Sequence, residues 1–479
     1  MVAIDLWNCF SVWGSYLVLA GLAPLSLSVT VSAWRGWQVS DGSGLSKYIP
    51  SCLGIGAAAV AAWVVQKRRS VCRRGLRQVT AHGDPSRSYE PGQEVVMAFR
   101  RQPFIWTSLH IPGNVVASWE HRTDAAASIF KLGMSPEAFE EAVAEMAEMP
   151  AWVDWSLLDE GCRFFVQTWP FVFFSFSWAL LGGFGAESAS AVLLKSRYWA
   201  AKGEHGKSDT WMRLRETACW LYDVSAHGGI GFSRGGISWK ACTHVRYLHC
   251  RTRSTIQAAG SWDTEKYGEP INQCQIIGTL LGSSALLLQG MEELLGCSLP
   301  SRQKEAFIHL WRVIGFLFGI DDDINPNRSL SHAKVVMESV FSHGIPALPD
   351  ANLTAVLTQH ICESVAYGIR TEFGAPVDAG KVAVTAWYFL GDAYGAAIGL
   401  PESTPVARAF ALSRFCLLRC VFSVYLLPGG PHLFHYVMGY LFTAMVNSIR
   451  RRQPHCRFGV TCPVSGKQQT SASTLTCPY

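Results

Sequence analysis

Charge is scarce in this chain: Asp, Glu, Lys and Arg make up 16% of its 479 residues. What charge there is sits unevenly. Lys67, Arg68, Arg69, Arg73, Arg74 and Arg77 form one basic cluster, and the remaining 35 basic residues face 36 acidic ones. A near-neutral body argues against a nucleic-acid partner. None of the 15 cysteines forms a CxxC pair, so zinc-ribbon spacing is absent. Many of them (Cys162, Cys219, Cys250, Cys416, Cys420) fall in apolar helical runs and read as small buried hydrophobes in a reducing compartment. Walker loops, a GxGxxG after a strand, HExxH and GxSxG are missing too. Alternating strand patterns are few, and there is no internal repeat.

What is abundant is apolar surface. Hydrophobic residues reach 49%, Trp numbers 18, and mean hydropathy is +0.16. That is rich for a soluble body and lean for a polytopic transporter, which suggests a globular body with a membrane anchor. Between Asp5 and Arg35 lie 29 residues without Asp, Glu, Lys or Arg, and between Lys47 and Lys67 another 19. About 20 apolar residues span a bilayer. The second stretch runs straight into the basic cluster, which the positive-inside rule places in the cytoplasm. The expected organisation is therefore an anchor over residues 1–78 with one or two spans, a helical body over 79–452 facing the cytosol, and a polar tail over 453–479.

In the body, Ser135 and Pro136 have the chemistry of a helix start. "DEGCRFFVQTWPFVFFSFSWALLGGFG" is apolar nearly all round, so that helix is buried or touches the membrane, with Pro170 interrupting it. Further helices are expected over Thr210–Ala226, Trp239–Gln257, Gln273–Leu295, Gln303–Phe318, Leu330–Ser342, Ala351–Gly368 and Val377–Ile398. Val406–Arg450 is again very apolar and is broken at Pro428-Gly429-Gly430-Pro431.

Two of these helices carry charge where core residues belong. Arg213, Thr217, Leu221 and Val224 fall on one face at steps of 4, 4 and 3. A buried arginine needs an anionic or strongly polar partner. In "CTHVRYLHCRTR", Ala241, Val245 and Leu248 make an apolar stripe beside Cys242, Arg246, His249 and Arg253. Burial and neighbouring positive charge both lower a histidine pKa, which keeps the imidazole neutral, the form a metal needs. Two flanking arginines could hold the carboxylates of a dianionic cofactor. Haem offers both an iron wanting an axial nitrogen and two propionates; a histidine satisfied within the core is the alternative. A second metal candidate is "DDDINPN", Asp321 to Asn327, which has the look of the magnesium motif of helical isoprenoid cyclases but lacks their second metal motif.

The ordered segments "PAWVDW", "LLGGFG", "RLRETACWLYDV", "VRYLHCRTR", "WD", "PINQ", "GTLL" and "LWRVIGFLFGIDDDINP" resemble one family. It is the family of ER-bound oxygenases of mycophenolic acid biosynthesis and rubber oxygenases (latex-clearing proteins), with the likeness strongest over Glu148–Pro326. The resemblance implies an all-α, globin-like domain that binds haem b. It implies His249 as the axial iron ligand, Arg213 and Thr217 on the distal side, Arg246 and Arg253 flanking the ligand, and Thr279 in the haem pocket. The rubber enzymes have a lysine directly before the distal threonine; here that position is Glu216, which with Glu204 is a candidate catalytic base. The implied reaction is O2-dependent cleavage of a C=C bond in a lipophilic isoprenoid or prenylated compound. Hydroxylation or epoxidation on the same haem, or a magnesium-dependent cyclase, are the alternatives. The implied location is the endoplasmic reticulum membrane.

Overall fold

The computed structural model describes residues 111–146, 148–196, 203–345 and 349–452. The expected anchor and polar tail lie outside the described residues. Among those described, every regular element is helical, as the scarcity of alternating patterns predicts.

One helix organises the rest. Helix α3 (Trp155–Gly183) follows two short ones, α1 (Gly113–Ser118) and α2 (Pro136–Met146). Asp154 caps α3 by accepting the Leu157 N–H at 3.0 Å. Its sequence is long and apolar enough to cross a membrane, but 83% of that apolar window is buried inside the protein, so it is a core helix. Against α3 pack α10 (Ser301–Leu317), α13 (Ala379–Ala397), α15 (Gly430–Arg452) and the consecutive pair α8 (Gln273–Ser283) and α9 (Ala285–Leu295). Gly161 allows the tight crossing with α10: a Cβ there would lie 2.3 Å from the Ala306 carbonyl oxygen.

Two expectations need correction. Pro170 does not interrupt α3, which runs through it. Proline inside a helix costs about 3 kcal/mol, and buried neighbours on both sides, Trp169 and Phe171 among them, hold the helix together. Conversely, Gln273–Leu295 is two helices, not one. The break is at Ser284 (φ −121°, ψ −88°), whose hydroxyl donates to the Leu280 carbonyl at 2.7 Å and lies 3.2 Å from Asn327 Oδ1.

The functional residues lie on α5 (Gly203–Ser225) and α6 (Ile237–Ala258), which pack on each other after α4 (Glu187–Lys195). A single turn, α7 (Thr264–Tyr267), follows α6, and α11 (Leu330–Gly344) and α12 (Ala351–Phe373) complete the middle of the chain. The apolar C-terminal stretch breaks where its Pro-Gly-Gly-Pro predicts. It forms α14 (Pro405–Tyr425) and α15, bent by 120°. No described cysteine forms a disulfide. Cys162, Cys219 and Cys250 are buried as expected, whereas Cys416 is half-buried and Cys420 exposed.

Candidate active site

Helix α6 carries its two core arginines with their charges already answered. Arg246 and Asp124 form a buried ion pair; Arg246 Nε donates to Asp124 Oδ2 at 2.7 Å, and a second bond joins Nη2 to Oδ1. The same carboxylate accepts the Ala126 N–H at 2.9 Å and has the Cys250 sulfur at 3.6 Å. Gly319 (φ +86°) lets the chain pass directly beside it, since a Cβ there would sit 2.4 Å from Asp124. Arg253 reaches forward instead. Its Nε and Nη2 donate to the carbonyls of Pro270 and Ile271 at 3.0 and 2.6 Å. Ile271 has φ +55°, rare for a β-branched residue. Its carbonyl is gripped by Arg253, and this strained turn leads straight into α8.

Between the two arginines, His249 is treated differently. It is half-buried by surface area. Its Nδ1 is buried with no hydrogen-bond partner. Burial first, and the Arg253 guanidinium second, push its pKa down to about 4, with Asp124 opposing. The ring is therefore neutral at physiological pH. It packs edge-on against Phe318 (5.8 Å, 81°), which in turn lies 5.6 Å from Trp220 of α5. Trp220 Nε1 donates to the Ala241 carbonyl of α6 at 3.2 Å, which ties the two helices together.

Helix α5 therefore turns the face with Arg213, Glu216 and Trp220 towards α6. Arg213 and Glu216 are buried, 6% and 3% exposed. Thr217 sits at the edge of this face, and its hydroxyl donates back to the Arg213 carbonyl at 3.0 Å. Glu204, in the first turn of α5, is exposed. Thr279 on α8 is exposed, and its hydroxyl donates to the Gln275 carbonyl at 2.9 Å. The structure thus joins Arg246, His249 and Arg253 to α5 through Trp220. Thr279 is linked to them through the start of α8, which Arg253 grips and where Gln273 Nε2 donates to the carbonyl of Gly319 beside Asp124 at 2.8 Å.

The other metal candidate is closed. Asp321 and Asp323 both pair with Arg122, while Asp322 faces Arg312 at 3.4 Å and its carbonyl accepts from Arg328 at 2.6 Å. "DDDINPN" is a charge lattice pinning the loop after α10, with every aspartate engaged by an arginine. Among the described residues, no group of three or more His, Cys, Asp or Glu could hold a metal ion. A porphyrin iron asks only one histidine of the protein.

Sequence reasoning missed Asp124, Phe318 and the pairing role of Trp220. The Asp before "AAAS" is legible as a helix cap, and it does cap that turn. Its pairing with Arg246, 122 residues away, leaves no local signal.

Among the described residues, the body is all-helical and sets a histidine with one unpartnered ring nitrogen between two arginines that the protein itself engages. Residues 165–419, more than half of the chain, match the family described as "ER-bound oxygenase mpaB/B'/Rubber oxygenase, catalytic domain". The chain belongs to this oxygenase family. The match begins and ends later than Glu148–Pro326 and includes Arg213, Glu216, Thr217, Arg246, His249, Arg253 and Thr279. A curated relative, the rubber oxygenase of Streptomyces sp. (strain K30), is 24% identical over 305 residues, 62% of this chain and 69% of the relative. The solved structure of latex clearing protein LCP in the closed state aligns with a TM-score of 0.46 at 18% identity, covering 75% of this chain and 91% of the other.

Proposed function

We propose that the chain is a haem b-dependent oxygenase that uses O2 to cleave a C=C bond in a lipophilic isoprenoid or prenylated compound. The observation that carries this reading is His249 itself: a neutral imidazole whose Nδ1 is buried and unpartnered, set between two arginines that the protein itself engages. An unpartnered neutral imidazole fits the role of a haem-iron ligand. Haem iron, when bound, supplies the dioxygen chemistry.

The chain's own residues supply position and dryness. His249 would hold the iron. Arg246 and Arg253 act on the group through His249, because their guanidinium groups are engaged by Asp124 and by two carbonyls and so fix the pitch and register of α6. Phe318 and Trp220 exclude water from one side of the imidazole. Arg213, Glu216 and Thr217 contribute a cation, a carboxylate and a hydroxyl from α5. Glu216, buried and acidic, is the proton acceptor best placed on that face. Thr279 would contribute from α8.

The membrane is the second half of the reading. We assign the body a globin-like packing, with an anchor in residues 1–78, at the endoplasmic reticulum membrane with the catalytic domain in the cytosol. Support comes from the α14–α15 pair. Leu417, Val421 and Val424 on α14, and Leu433, Tyr436, Val437 and Tyr440 on α15, repeat at helical spacing yet face outward, and Leu426 and Leu427 in the turn are exposed as well. No Asp, Glu, Lys or Arg lies between Arg419 and Arg450. Such a patch suits lipid contact. The test of function is to supply the full chain in membranes with haem, O2 and a prenylated phenol. Carbonyl-terminated fragments in the mass spectrum support cleavage, and an intact, hydroxylated product would replace it.

A further inference from the structure

Helix α5 has a second working face. Leu214, Arg215, Ala218 and Leu221 line a cavity, and at 100° per residue they centre roughly 155° around the helix from Arg213, Glu216 and Trp220. The cavity therefore opens on the side of α5 turned away from His249, which is not among its lining residues; only Thr217 reaches its edge from the site already described. It encloses about 1190 Å³, counting its open mouth. Its other walls come from α3, α12, α13 and α15.

The cavity is graded from end to end. Phe173, Leu181, Trp211, Ile361 and Val365 are buried apolar or aromatic wall, whereas the Arg452 side chain is 53% exposed and marks the mouth. Of the lining residues only three are charged: Arg215, Glu372 and Arg452. Two cations share one carboxylate. Glu372 Oε1 accepts from Trp211 Nε1 at 2.9 Å and from Arg215, while Arg452 stands 3.7 Å from Oε2. Arg215 Nε is buried and has no partner. Burial, and next the charge of Arg452, lower the Arg215 pKa, in keeping with both guanidinium groups standing at the one Glu372 carboxylate. An apolar tunnel behind a net-positive rim is complementary to one kind of molecule.

We propose that this cavity binds an amphiphile tail-first: an apolar chain lies along Phe173, Leu221 and Ile361, and an anionic carboxylate or phosphate head is held by Arg215 and Arg452. This is a binding site separate from the one at His249, and it stands whether or not His249 holds haem. Two sources share the chemistry, a prenylated acid and a straight-chain membrane lipid or fatty acid.

The test uses the full chain in lipid nanodiscs and two diazirine-tagged probes, a C20 prenyl carboxylate and a C18 straight-chain carboxylate, each beside its methyl ester. Crosslinked peptides are mapped by mass spectrometry. The acid should label peptides of α5 and α12 about tenfold more than its ester, the worth of one charge-assisted hydrogen bond. R452Q, at the exposed mouth, should cut that labelling several-fold, E372Q should raise it, and Ala218→Trp should abolish it by filling the cavity. Labelling should persist in His249→Ala, which separates this site from the haem reading. Stronger labelling by the prenyl acid assigns an isoprenoid source, and stronger labelling by the straight chain a lipid one. Equal labelling by acid and ester, or full labelling of a folded Ala218→Trp protein, overturns the proposal.

Discussion

Two stretches of this chain carry metal-binding side chains, and the structure treats them in opposite ways. At "DDDINPN" three adjacent carboxylates are engaged by Arg122 and Arg312, and Arg328 holds the Asp322 backbone carbonyl. On α6 the arginines are engaged by Asp124, Pro270 and Ile271, and the histidine between them is left with a ring nitrogen unpaired. By composition the acidic loop is the stronger metal site. By ion pairing it is scaffold, each aspartate held by an arginine, whereas on α6 the His249 Nδ1 is buried with no partner. Buried polar groups in native proteins are nearly always satisfied, so an orphan is the more informative sign.

The largest effect should separate the two stretches outright. His249→Ala should lose haem almost completely, at least tenfold in the ratio of Soret to protein absorbance, whereas Asp321→Asn and Asp323→Asn should bind haem as the parent does. Next comes Asp124→Ala. It leaves the Arg246 guanidinium buried and uncompensated, which costs about 3–5 kcal/mol. A chemical-denaturation midpoint would read the loss, and haem content should fall with it as α6 loosens. Removing both partners, Asp124→Leu with Arg246→Met, should restore much of the stability.

A smaller effect is expected with pH. Burial lowers the pKa of His249, and likewise of His309, whose Nε2 accepts the Asp154 N–H at 3.1 Å. A depressed histidine pKa means that the folded state holds fewer protons than the unfolded one below about 6.5. Stability is therefore full above that value and declines as pH falls from 6.5 towards 4. A melting series on haem-free protein should show this slope, shallower in His249→Ala. The smallest effect belongs to the acidic loop. Asp323→Ala breaks a partly exposed pair with Arg122, worth about 0–1 kcal/mol, and should shift the melting midpoint barely or not at all.

How much of this could be read beforehand follows from the range of the interactions involved. Helical periodicity located α5 and α6, and with family motifs it singled out His249, because a helix face depends on residues three and four apart. The all-helical class followed in the same way. Long-range pairing was invisible. Nothing near Arg246 announces Asp124, so two arginines that look like ligands for propionates are in fact held by protein. Local breakers misled where burial dominates: Pro170 continues a helix packed on all sides, while Ser284, an ordinary residue, ends one. The two faces of α5 were also merged. The stripe Arg213–Thr217–Leu221–Val224 straddles a boundary, with Arg213 outside the cavity and Thr217 and Leu221 on its wall.

The central proposal is that His249 would hold haem iron while the acidic loop is scaffold. The most direct test is the absorption spectrum of the full chain purified after haem supplementation, recorded oxidised, dithionite-reduced, and reduced with CO. The account predicts a stoichiometric Soret band that shifts on reduction and again with CO, present in Asp321→Asn and absent in His249→Ala. A haem-free protein, or an equal Soret band in His249→Ala, would contradict it.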